Sequence, residues 1–187
     1  MMLRPASGWH GSLMRSVIAP DAVEAIVGWR AWAISDVAGA FRLRSVVAPT
    51  LWPAREVLEA ECLRPGLRPF RRFGLGHHPP SESCECGVYA ADASTAASYG
   101  TPPADRVDRR VLGRVALWGV VIECEHGWRA SQAYPYEIVI PVHRFRDDRL
   151  VPLEALAFDL TAYGVPVTVV DEEELSELMR ESDRIEH

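Results

Sequence analysis

The chain has 187 residues, 48% of them hydrophobic, and a formal net charge of −6 at neutral pH. That is long and apolar enough to bury one core, which excludes global disorder, and the acidic balance argues against a protein held mainly by nucleic-acid phosphates or an anionic membrane surface. All 20 basic residues are arginine, so a lysine Schiff base and a Walker lysine are excluded as well.

Residues 1–26 hold Pro5, Gly8, Gly11 and Pro20 with no steady period, and read as an N-terminal arm with a short helix from Asp21 to Val27 that Asp21 caps. Residues 27–187 read as a single α+β domain. The apolar piece Val17-Ile18-Ala19 is cut short by Pro20 and Asp21, and no run approaches the roughly 20 apolar residues a bilayer span requires. A cytoplasmic protein without membrane contact is expected.

From Gly28 to Ile34 both alternating phases are largely apolar, as in a strand covered on two faces, and a second strand from Phe41 to Val47 follows the turn residues Asp36–Gly39. Pro49 to Pro53 interrupts the pattern. Residues 54–62 suit a short helix or an extended arm equally. Residues 64–83 are dense in Pro, Gly, Arg and His and read as a long loop of the kind that carries a function or an internal staple.

Gly87–Ala90 reads as a buried strand. Asp92–Tyr99 reads as a helix capped by Asp92 or Ser94 and stopped by Gly100. Long strands are predicted over Arg110–Glu125 and Trp128–Pro141, with His126-Gly127 as the turn between them. A helix from Pro152 to Tyr163 stopped by Gly164, a strand from Val165 to Val170 and a helix from Glu172 to Arg180 complete the order. Residues 170–187 form an acidic C-terminal helix in this reading, entered through Asp171 and Glu174 as a capping pair. The whole predicts a mainly antiparallel, twisted sheet of five to seven strands with peripheral helices, the last strand extending it in parallel.

Gly-Trp-Arg-Ala occurs at 28–31 and again at 127–130, each time opening a strand. The flanks share nothing else, so no duplicated domain follows. The expected role is packing by tryptophan, with the arginine stacked on an aromatic ring or meeting a carboxylate; a ligand-facing arginine pair is the alternative.

The residues richest in chemistry run from His77 to Ala90. Cys84 and Cys86 can place two sulfurs on one ion from a tight turn, Gly87 relieves crowding directly after them, and Cys62 with His77 or His78 would complete a tetrahedral Zn2+ set. Pro79 and Pro80 stiffen the histidine loop, which lowers the entropy lost on binding. Four cysteines spaced in this way do not suggest a secreted disulfide framework. Cys124 shares the strand phase of Val120 and Ile122 and is expected in the core. The deaminase pattern and the H-E-x-x-H pattern are both missing, which favours a structural over a catalytic metal. A loop pinned by zinc is therefore expected.

On these residues the chain resembles a group of uncharacterised actinobacterial and actinophage proteins. The shared stretch H-x-x-P-x-x-x-C-x-C-G-[IV]-Y-A matches His77, Pro80, Cys84, Cys86, Gly87, Val88, Tyr89 and Ala90. The group's G-x-V-x-L-W-G-x-V matches Gly113, Val115, Leu117, Trp118, Gly119 and Val121. Its G-[WY]-R-A matches Gly127 to Ala130, with Ala133-Tyr134-Pro135 after it. The resemblance spans about Gly28 to Pro141, implies no particular activity, and favours His77 over His78 by its offset from Cys84.

Two functions are expected to compete. The first is a zinc-stabilised, non-enzymatic interaction domain. Its partner would be a protein, or a nucleic acid gripped by Arg64, Arg68, Arg71 and Arg72 interleaved with Phe70 and Phe73, although a solvated loop is the simpler account of those arginines; the acidic C-terminal helix is a further docking candidate. The second is an NAD-using enzyme. Trp9-His10-Gly11-Ser12 and Gly87 through Ala97 and Tyr99 resemble segments of the ADP-ribosyltransferases, and that resemblance implies a catalytic glutamate among Glu123, Glu125 and Glu137.

Overall fold

In the computed structural model, which describes residues 16–17, 25–62, 77–102, 109–145 and 148–185, the strands are β1 (Ser16–Val17), β2 (Ile26–Val37), β3 (Ala40–Ser45), β4 (Leu58–Glu59) and β5 (Val88–Ala91). Helix α1 (Ala93–Gly100) leads to β6 (Arg110–Cys124) and β7 (Gly127–Pro141), then α2 (Leu153–Leu160), β8 (Val167–Val170) and α3 (Glu172–Ile185). The fold is α+β, and the eight strands make one sheet. Every pairing is antiparallel except that of β8, which runs parallel along Ile138–Pro141 of β7. No helix among the described residues is long and apolar enough to cross a membrane.

The β6–β7 hairpin is the spine of the sheet. On its β6 side it pairs with β2, Ile26–Ala33 against Leu117–Arg110; on its β7 side it receives β5, β4 and β8 in turn. Strand β5 also pairs with β2 through Trp29 and Ala91, so β2, β6, β7 and β5 close into a ring. The two phases of β2 are buried against different partners, as the all-apolar pattern predicts. Trp29 and Ala31 join Ala93, Ala96, Leu175 and Met179 beneath α1 and α3. Trp32 joins Leu43, Trp52, Val115, Ile138, Leu156 and Leu160 in the larger core, with Trp52 edge-on at 5.5 Å.

That larger core contains a two-ended polar contact. The Tyr163 hydroxyl donates to the Trp52 carbonyl (2.9 Å) and accepts from the Leu43 amide (3.0 Å), with the residue only 1% exposed. Tyr163→Phe leaves both backbone groups buried without this partner, so unfolding in urea should show a loss of about 1–2 kcal/mol. An unchanged midpoint would mean that water reaches both groups.

Several boundaries differ from the sequence expectation. The helix expected to run to Val27 gives way by Ile26, because strand pairing with β6 overrides the local pattern; residues 21–24 lie outside the described set. Residues 54–62 form no helix: Ala54 and Arg55 make a turn, with Arg55 at φ 64°, and Leu58 and Glu59 lie on the β7 edge. Gly100 ends α1 from within it, and a Cβ there would lie 3.1 Å from Leu112, so its role is close packing. The carbonyls of Tyr99, Gly100 and Thr101 accept from Arg110 and Arg144, two cations at the negative end of α1.

Other local expectations match. Asp92 caps α1 through the Thr95 amide (2.7 Å), and Gly164 takes a left-handed φ of 69° after the turn that follows α2. Asp171 accepts from the Glu173 and Glu174 amides while Glu174 accepts from the Asp171 amide, a reciprocal capping box on α3. Within the segment read as an arm, Ser16 and Val17 pair with Ile122 and Val121.

Candidate metal centre

The two segments that bear the cysteines leave the same edge of the same strand. Strand β4 pairs with Ala133 and Gln132 of β7, and the Ala60 amide continues the ladder to the Ser131 carbonyl (2.8 Å), which delivers the chain to Cys62. Strand β5 pairs with Gly127–Ala130 of the same strand, so Cys84 and Cys86 arrive beside Cys62 as the chain enters it. A turn at Ser81–Cys84, closed by the Cys84 amide on the Ser81 carbonyl (3.0 Å), faces both cysteines inward. Gly87 then takes φ 135°, and a Cβ there would meet Arg129 at 3.1 Å and Pro80 at 3.3 Å.

The four expected ligands come together. The sulfurs of Cys62, Cys84 and Cys86 and a ring nitrogen of His77 all lie within 4.8 Å of one another. Two thiolates on a tetrahedral ion at about 2.3 Å stand about 3.8 Å apart; Cys62 and Cys84 are separated by 3.8 Å. His77 Nε2 lies 3.1 Å from the Cys86 sulfur. Cys62 and Cys84 are buried, and none of the four cysteines is in a disulfide. His78, one residue on, is exposed and outside the group.

The donor chemistry fits a soft or borderline divalent cation, and no Asp or Glu joins the group among the described residues. Hard cations such as Mg2+ or Ca2+ need oxygen ligands, which this set lacks. The electrostatics favour a cation too. Burial, then the hydrogen bond and charge of Cys84 and the charge of Cys62, push the Cys86 thiol up to about 11, opposed by the Ser81 amide. A positive ion beside the Cys86 thiol would reverse that balance.

Cys124 stands apart, as its strand phase predicts, but it is half-buried at the end of β6 rather than in the core. Its thiol is pushed up by burial and partly offset by the Arg129 charge.

Arg129 of the repeated motif, expected to stack or to meet a carboxylate with a ligand-facing role as the alternative, lies beside the cysteine turn. It is 1% exposed and donates to the carbonyl oxygens of both Cys84 and Cys86. The other arginine of the repeated motif, Arg30, donates to the Tyr89 carbonyl and to Ser45 Oγ (3.1 Å), and stacks 4.9 Å over Trp52. Burial draws Arg30 down to about 10, which still leaves it cationic at neutral pH. The stacking expectation therefore holds for Arg30. Arg129 instead meets backbone oxygens, a preference that the motif alone could not reveal.

Arg64, Arg68, Phe70, Arg71, Arg72 and Phe73 lie outside the described residues, as does His10. Glu123 and Glu125 are exposed beside the β6–β7 turn, while Glu137 is held by Arg114 at 2.6 and 3.0 Å. Comparison with protein-family models, curated proteins and solved structures finds no significant match to this chain.

Proposed function

We propose that Cys62, His77, Cys84 and Cys86 hold a structural Zn2+, and that the chain is a zinc-stabilised, non-enzymatic interaction domain of the cytoplasm whose partner is a protein or a nucleic acid. The observation that carries the reading is the convergence of three sulfurs and one imidazole nitrogen within 4.8 Å, with no carboxylate among them. A four-ligand set fills the tetrahedron and leaves no open position for an activated water, the usual distinction between structural and catalytic zinc. Four free thiols suit a reducing compartment.

The placement of the ligands suggests what the ion is for. Cys62 and His77 bound the stretch 63–76, so a metal ion would tie both ends of the segment that carries Arg64, Arg68, Arg71 and Arg72. A tethered basic and aromatic segment is a suitable recognition loop, because less entropy is lost when it meets its partner.

Elemental analysis of the purified protein should give one zinc per chain and close to none in Cys84→Ser. A stable, metal-free wild type would overturn the reading. For the partner, fluorescence anisotropy against single-stranded DNA and RNA over a range of ionic strength separates the two versions. Salt-dependent binding supports the nucleic-acid version, and no binding at low salt rules it out in favour of a protein partner.

A further inference from the structure

The two copies of Gly-Trp-Arg-Ala lie on either side of β5, and their arginines grip one short stretch of chain. Arg129 donates to the carbonyls of Cys84 and Cys86, and Arg30 donates to the carbonyl of Tyr89. We propose that the repeat is a paired clamp on residues 84–89 and that Arg129 is the positioning residue of the metal centre, a role that rests on the zinc reading above.

Three facts carry the assignment. Geometrically, Tyr89 and Arg129 are directly paired residues of β5 and β7, so the Arg129 side chain is aimed by the register itself. One guanidinium nitrogen, Nη1, donates to the carbonyls of both ligands, which are separated by one residue. Fixing both carbonyls fixes the Cys84–Glu85 and Cys86–Gly87 peptide planes, and with them the directions in which the Cys84 and Cys86 sulfurs leave the backbone. The rigid planar guanidinium holds that shared donor in one place, which a flexible ammonium stem does less firmly.

Electrostatically, a doubly charged cation with three thiolates and a neutral imidazole sums to one negative charge, 2 − 3 = −1. Arg129, 1% exposed, places a permanent positive charge against the backbone of that centre. Each buried charge is costly alone and less so beside the other. The packing is equally specific: a Cβ at Gly87 would lie 3.1 Å from the Arg129 Cβ, so the glycine after Cys86 is what lets the arginine stem pass.

Arg30 has a different part. Its contacts are with Tyr89, Ser45 and Trp52, so it holds the far end of the segment from the larger core and touches no ligand residue. The two arginines should therefore separate in experiment.

The test is competition of the full-length protein against a chromophoric zinc chelator, with Co2+ absorption spectra as a second readout and circular dichroism to verify folding. Arg129→Met is expected to lower zinc affinity about 10- to 100-fold, the usual effect of losing an outer partner of a metal ligand. It should also shift the Co2+ ligand-field bands. Arg129→Lys should recover part of the loss, because its ammonium keeps the charge but, on a flexible stem, holds the two carbonyls less firmly. Arg30→Met should lower the melting temperature while leaving zinc affinity within about threefold of wild type, since no ligand contact changes.

Wild-type affinity and spectrum in folded Arg129→Met would overturn the role, as would equal losses in the Arg30 and Arg129 variants, which would make both merely structural. If Arg129→Met does not fold, Arg129→Lys decides: unchanged affinity and spectrum overturn the proposal, and a loss supports it. Wild-type protein that binds neither metal would overturn the zinc reading itself, a result distinct from failure of the Arg129 assignment.

Discussion

Stripping the metal with a strong chelator should lower the melting temperature of this protein by roughly 10–20 °C. Structural zinc contributes on the order of 10–16 kcal/mol of apparent binding energy in small domains, but much of that is spent organising the site. Here the strands are long and the two apolar clusters stand independently of the ligands, so the sheet has stability of its own. A net loss of about 5 kcal/mol is a reasonable expectation, and for a chain of this size each kcal/mol moves the midpoint by about 2–4 °C.

The loss should be regional. Proteolysis of the stripped protein should cut first between Cys62 and Cys86, because the ion would tie the two ends of that stretch together. Restoring zinc should restore both the midpoint and the protection. A melting curve indifferent to chelator, in protein shown to have contained zinc, would mean that the ion stabilises nothing and would call for a different role.

The second large effect is expected at Gly127. This residue opens β7 with φ 137°, and a Cβ there would lie 2.2 Å from the Ala90 carbonyl oxygen and 2.5 Å from the Ala91 Cα. Both obstacles are backbone atoms of the neighbouring strand, so no side chain can swing aside. Gly127→Ala should therefore cost about 4 kcal/mol or more, placing it in the exceptional tail of single substitutions.

Gly39→Ala is the matched control. Gly39 also has positive φ, at 82°, but a Cβ there would meet nothing within 4 Å, so only the conformational cost of about 1–2 kcal/mol applies. Urea unfolding of the pair measures the difference directly. Similar costs at the two sites would show that β5 and β7 can separate without penalty.

Much of this architecture is legible in the residues because it rests on local chemistry. The capping box of Asp171 and Glu174, the Asp92 cap and the left-handed Gly164 each follow from a few neighbouring side chains. The long β6 and β7 runs follow from Val, Leu and Ile in strand-like density. The metal set was legible for a different reason. Cysteine and histidine are uncommon enough that Cys62, Cys84, Cys86 and the His77-His78 pair nominate one another, and the resemblance to the H-x-x-P-x-x-x-C-x-C pattern favoured His77, the histidine found in the cluster.

What stayed hidden depends on partners far along the chain. Residues 54–62 carry no period because a turn at Ala54–Arg55 is followed by a ladder of only Leu58, Glu59 and the Ala60 amide, so nothing local declares a strand. Ile26 and Val27 are strand because β6 lies beside them, a fact stored more than 80 residues away. Gly127 suggested a turn, while the turn itself falls on Glu125 and His126 and the glycine serves the approach of β5. The hold of Arg129 on the cysteine turn was hidden because it is made to the Cys84 and Cys86 carbonyls, backbone groups that every residue owns and no sequence distinguishes.

The single residue pair by which β5 meets β2 gives the ring of strands an unequal circumference. Three of its joints are ladders several residues long, and the fourth is the contact of Trp29 with Ala91. A ring with one narrow joint behaves as a clasp: it opens there at least cost, and whatever steadies β5 governs how often it opens. The cysteine turn leads directly into β5, so an ion held there would steady the strand that closes the ring at Trp29.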